Sequence, residues 1–108
     1  METSAAITSL AALAQESRLA VFRLLVQAGP AGLAASNIAT ALAIAPSSLS
    51  FHLKELAHAD LVKAAKAGRF IIYSANYERM NGLLAFLTEN CCGGAPCASV
   101  APTPCCAP

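Results

Sequence analysis

From Leu24 to His52 the chain carries no formal charge, yet Gly29-Pro30, Gly32, Ser36-Asn37 and Pro46-Ser47-Ser48 interrupt it at short intervals. No clean run of ~20 apolar residues survives between those breaks, so a membrane-spanning helix is excluded there. The segment must fold as short helices, each burying one face. At 108 residues the chain makes one domain, large enough for a modest core and too small for two. Its hydrophobic content of 56% is rich in alanine, and only 12% of residues are charged. Disorder over the whole length is excluded by that balance. Alanine suits thin, closely packed helices, and a partner subunit would cover what so small a core cannot. Met1-Glu2-Thr3-Ser4 lacks the basic start and apolar run of a signal peptide, so the expected compartment is the cytoplasm, with no membrane partner.

Apolar spacing divides the chain further. Thr3 to Ala14 reads as an amphipathic helix with Ile7, Leu10 and Leu13 as its apolar positions. Glu16 to Ala28 reads as a second, with Leu19, Phe22 and Val26 on one face and Val21, Leu24 and Leu25 widening the arc. Gly29-Pro30 ends it, and Gly32 and Leu33 are assigned to a loop. Ser36 to Leu42 forms a short third helix, and Ala43-Ile44-Ala45 leads to Pro46, which suits a first helical position because it has no N–H to leave unpaired. The fourth helix runs from Pro46 to about Ala59 over a stripe of Leu49, Leu53 and Leu56. Leu61–Ala65 and Arg69–Ser74 are β-prone runs around Lys66-Ala67-Gly68, where Gly68 supplies the positive φ of a tight hairpin. Asn76 caps a last helix carrying Met80, Leu83, Leu84 and Leu87 at i, i+3, i+4 and i+7. The order α-α-α-α-β-β-α, mainly α with a β-hairpin, is that of a winged helix-turn-helix.

The net charge of +1 is unevenly placed. Between Ser50 and Phe70, Lys54, Lys63, Lys66 and Arg69 outnumber Glu55 and Asp60, whereas the chain before Ser50 is balanced. Cations on a second helix of a helix-turn-helix and on a hairpin tip are placed to meet phosphates of double-stranded DNA. Ser47, Ser48 and Ser50 are short polar groups able to approach base edges or phosphates. Phe51, His52 and Lys54 complete the candidate DNA-contacting set on that helix, with Lys66 and Arg69 on the wing. His52 either bonds a phosphate or braces two helices, and His58 is surface decoration. Neither histidine has a nucleophile and orienting acid beside it, so no enzyme and no catalytic cofactor are expected.

Gln15-Glu16-Ser17-Arg18-Leu19, the run from Pro46 to Leu56, and Asp60-Leu61-Val62 followed by Gly68-Arg69 resemble the ArsR/SmtB metalloregulatory repressors over roughly residues 10–88. The resemblance implies a homodimer on an inverted-repeat operator, released when a metal or metalloid binds. It also implies that the first and last helices form the dimer interface, the fourth enters the major groove and the wing reaches a minor groove. The chain departs from the pattern in places. The stretch from about Leu33 to Ile38 lacks the Cys-Val-Cys pair of the best-known arsenic sensors, Ala45 stands where the family often has a capping Ser, and the zinc ligands of the last helix are not matched.

All five cysteines (Cys91, Cys92, Cys97, Cys105 and Cys106) follow residue 90. The chain therefore divides into a DNA-binding and dimerisation domain, 1–90, and a flexible Cys-rich tail, 91–108, carrying the effector site. An odd number of thiols in a cytosolic chain does not make a disulfide framework. Thiolates select soft ions. Gly93-Gly94 allows the turn that returns Cys97 to Cys91 and Cys92, and three sulfurs on one side of an ion match the pyramidal geometry of arsenite As(III) or antimonite Sb(III). Some members of the family hold arsenite in this manner, and this tail looks like theirs. Zn²⁺ held with Cys105 or Cys106 as a further ligand, Cd²⁺, Hg²⁺, Cu(I) and a redox role stay open. So does a thiol-rich storage protein or chaperone that does not bind DNA.

Overall fold

In the computed structural model, residues 1–94 are described; Cys97, Cys105 and Cys106 lie outside them. Five helices and a small sheet follow one another as α1 (Thr3–Leu13), α2 (Glu16–Ala28), β1 (Leu33–Ala34), α3 (Ala35–Leu42), α4 (Pro46–His58), β2 (Val62–Ala67), β3 (Phe70–Ala75) and α5 (Tyr77–Leu87). A single 3-10 turn, Cys91–Gly94, follows α5. This is the winged helix-turn-helix expected from the sequence, with one strand more.

The added strand is β1. The sheet order is β1-β3-β2, all antiparallel, with Leu33 opposite Tyr73 and Ala34 opposite Ile72. Leu33 therefore leaves the loop assigned to it. Gly32 explains how: it has φ +72°, and a Cβ there would collide with the Tyr73 carbonyl oxygen. Only a glycine lets the backbone come this close to β3. Two residues give no alternation to read, so the strand has no periodic signature.

The core is built on α4. Leu49, Leu53 and Leu56 are buried as their spacing predicts, and they pack with Val21, Phe22 and Leu25 of α2, Ile38 of α3, and Leu61, Val62 and Ala75 of the wing base. In α2 the buried residues are Val21, Phe22 and Leu25, all within the expected apolar arc, while Leu19 of that arc is exposed and Val26 half-buried. In α1 the apolar positions are not the buried ones. Ala6 and Ser9 face inward, whereas Ile7 and Leu10 are exposed. Ser9 is accommodated because its hydroxyl donates to the Ala5 carbonyl at 3.0 Å, so that buried hydroxyl is not left unpaired. In α5 only Leu83 of the predicted stripe is buried, with Leu84 and Leu87 turned outward.

Local signals set the element ends. Gln15 accepts from the Arg18 N–H at 2.8 Å, and the Arg18 Nε donates to Ala12 O at 2.7 Å, fixing the α1–α2 corner. Between α3 and α4, Ala43 takes φ +53°, and the Ile44 N–H closes back on Ala39 O at 3.1 Å. That backbone pattern ends a helix and redirects the chain within one turn. Ala45 then occupies the N-cap of α4 with extended geometry and no side-chain cap bond, ahead of Pro46. Serine at this position would accept from an unpaired N–H of the first turn. Ala45→Ser is expected to stabilise the fold by ~1 kcal/mol, read as a rise of roughly 4–8 °C in Tm for a domain of this size; an unchanged melting curve would show that the α4 start needs no cap.

Candidate nucleic-acid interface and thiol site

Burial of the leucine stripe decides what α4 shows to solvent. Ser47, Phe51, Lys54 and His58, at i, i+4, i+7 and i+11, form an exposed row on the opposite side, with Ser48 and Ser50 exposed beside it. A helix surface repeats at these spacings, so the row is one continuous strip. Uncapped N–H groups and three serines meet at its start, and Lys54 supplies a cation one turn beyond Phe51.

His52 sits behind the row, half-buried. Its ring meets that of Phe51 edge-on, with centroids 5.9 Å apart and planes at 64°. The Nδ1 atom is buried without a hydrogen-bond partner among the described residues. This inward nitrogen cannot reach a phosphate, so any phosphate contact falls to the other nitrogen.

The wing presents the second cationic element. Gly68 and Arg69 form the two-residue turn between paired Ala67 and Phe70, with Lys66 opposite Ile71. Gly68 has φ +64°, as the hairpin requires. Lys63, Lys66 and Arg69 are all exposed. Strand β2 is alanine-rich beyond Val62, so the ribbon is thin toward its tip. Lys63, counted in the charge but not singled out as a contact, stands on this ribbon opposite Ser74; its periodic position on a strand gave the available signal. Every DNA-contacting candidate from the sequence thus falls on α4 or the wing, all exposed except His52.

A third group was legible in the sequence only in part. Asn76 is buried, caps α5 by accepting from the Arg79 N–H, and donates from Nδ2 to Asp60 O at 2.8 Å. Its own N–H donates to Leu61 O at 2.8 Å. Arg79 pairs with the Asp60 carboxylate at 3.0 Å. Asp60 itself has φ +63°. These contacts fasten the start of α5 to the corner between α4 and β2. Tyr77, the first residue of α5, ties the same helix start to α2, its hydroxyl donating to Val26 O at 2.9 Å. Only the Asn76 cap was legible; the partners on Asp60 are too distant in sequence.

The thiol site begins one turn past α5. Cys91 is half-buried and Cys92 exposed, their sulfurs 3.6 Å apart. Cys92 and Gly93 take left-handed backbone angles, φ +57° and +66°, which bring the adjacent side chains to one side of the turn. Two soft donors at this separation fit a thiophilic ion by donor chemistry. Among the described residues no group of three or more His, Cys, Asp or Glu could hold a metal ion. The described helices also show none long and apolar enough to cross a membrane.

Comparison with known proteins bears on the same elements. A helix-turn-helix domain family matches residues 13–64, from the end of α1 into β2. No curated protein of similar sequence was found. An ArsR-like transcriptional regulator from Rhodococcus sp. RHA1 is 31% identical over 78% of this chain and 76% of its own, with a TM-score of 0.69. A possible transcriptional regulator for arsenical resistance is 29% identical over 73% of this chain and 79% of its own, with a TM-score of 0.64. A homodimeric winged helix-turn-helix DNA-binding domain from Mycobacterium bovis, a possible ArsR-family regulator, is 27% identical over 81% of each chain, with a TM-score of 0.64.

Cations at the wing tip give a direct test. Each Lys or Arg that neutralises a phosphate adds ~0.9 to the slope of log affinity against log salt. Arg69→Ala and Lys66→Ala are each expected to weaken duplex binding broadly and flatten that slope by about one for every copy of the chain on the duplex, as measured by fluorescence anisotropy across a salt series. Unchanged affinity and slope for Arg69→Ala would take the wing out of the interface.

Proposed function

The chain belongs to the ArsR family of transcriptional regulators, and from that premise we propose that it is a homodimeric repressor released from an inverted-repeat operator by trivalent arsenic or antimony. The carrying observation is the Cys91–Cys92 pair, two sulfurs 3.6 Å apart just beyond the last helix. Arsenite would bind Cys91, Cys92 and Cys97 through sulfur. Three S–As bonds form as three hydroxyls leave as water with the thiol protons, and no oxidation state changes. Cys105 and Cys106 are outer thiols, not required for the first three bonds. The protein would act in the cytoplasm, where thiols stay reduced.

Support for the dimer comes from apolar surface without a cover. Ile7 and Leu10 on α1, and Leu84 and Leu87 on α5, are exposed on two helices that touch one another. Leu84 and Leu87 are more than half exposed, and a self-complementary two-fold contact would bury them. The structurally similar domain from Mycobacterium bovis is a homodimer. Leu84→Glu is expected to give monomers or unfolded protein in sedimentation analysis; a folded dimer would move the interface elsewhere.

Release then follows from geometry at the α5 end. Closing sulfurs around arsenic ties the turn after α5 to the helix and shifts its packing across the dimer, changing the spacing of the two α4 helices. A tenfold loss of operator affinity needs only ~1.4 kcal/mol of coupling, and the operator must weaken arsenite binding by the same factor. Cys91→Ser, Cys92→Ser or Cys97→Ser should leave operator binding intact and abolish arsenite-dependent release in a mobility-shift assay. The double change Cys105→Ser, Cys106→Ser should have a smaller effect. A dispensable Cys97 with an indispensable distal pair would replace the three-thiolate assignment, and release by zinc or cadmium alone would replace the effector.

A further inference from the structure

The chain has four phenylalanines. Phe22 lies in the core and Phe86 is half-buried, whereas Phe51 and Phe70 are 55% and 60% exposed. Both exposed rings stand on the elements that carry the cations. A single exposed apolar side chain is ordinary on a protein surface; the setting of Phe51 is not. It occupies the middle of the exposed α4 row, with Ser47 one turn before it and Lys54 one turn after. The His52 ring meets it edge-on, with centroids 5.9 Å apart. A phenylalanine side chain has only two torsions to order when it meets a partner.

Charge indicates where discrimination must come from. Lys54, Lys63, Lys66 and Arg69 are the only cations on α4 and the wing, so phosphate contacts are few and carry no sequence information. Base edges have to supply the difference between one duplex and another. A phenyl ring has no hydrogen-bond donor or acceptor and cannot read the polar code of the major groove. The groove displays one apolar group in unmodified DNA, the C5-methyl of thymine. We infer that Phe51 is a specificity-determining residue that packs its ring on a thymine methyl in the major groove. The inference rests on operator binding through α4, and it adds which base the row selects and by what contact.

The test uses the full-length protein and a duplex selected by it from a random pool, with each thymine replaced in turn by uracil, which lacks only the methyl. At one thymine per half-site, uracil is expected to weaken wild-type binding about fourfold, the value of ~0.8 kcal/mol for one buried methyl. Phe51→Ala should bind thymine and uracil duplexes equally, with the fold retained as read by circular dichroism. Phe51→Leu, which keeps apolar reach, should retain part of the discrimination. The assignment is overturned if the wild type is indifferent to every replacement, or if Phe51→Ala keeps the wild-type ratio. A change in dimer mass with no change in that ratio would place Phe51 in a protein contact instead. Failure of the wild type to select any duplex would remove operator binding itself, a result distinct from an indifferent Phe51.

Discussion

Leu49, Leu53 and Leu56 on one side of α4, seated on Val21, Phe22 and Leu25 of α2, are the contact on which the other elements depend. Truncating a leucine buried in this way to alanine commonly costs about 2–5 kcal/mol, a large share of the 5–15 kcal/mol that holds a domain together. The same burial sets the rotation of α4 about its axis. Once the leucines face inward, Ser47, Phe51, Lys54 and His58 have to face out. Stability and the display of that exposed row are therefore one geometric fact.

Around that contact the structure leaves a second apolar surface open. Alanine and serine fill the inner side of α1, where Ala6 and Ser9 let helices approach closely. Ile7, Leu10, Leu84 and Leu87 are left outside. A core of this size cannot cover all the leucines the chain carries, and much of the surplus lies on α1 and α5.

Much of this was legible in the residues, and the failures have a common physical cause. The α4 stripe, the Gly68 turn and the Asn76 cap are local patterns, each spanning a few positions, and each appears where its spacing placed it. Periodicity identifies an apolar face without saying what covers it. Hence Ile7 and Leu10, the apolar positions of α1, emerge as surface, and within the α2 arc Leu19 is exposed while Val21 and Leu25 are buried. The β1 pairing hangs on the approach of Gly32 to Tyr73, and the Arg79–Asp60 pair on the return of the chain to a distant corner; neither leaves a local pattern. At the candidate site, the cationic and serine positions were readable because α4 is regular. The Cys91–Cys92 arrangement was readable as chemistry, but its left-handed turn was not.

The corner at Asp60 has a mechanical consequence. Helix α4 ends at His58 and the wing begins at Val62, and between them Asp60 and Leu61 are bonded to Asn76 and Arg79 at the head of α5. The helix and the ribbon are thus two tines set in one handle. A tilt of α5 carries both together, while the shape of the fork is kept.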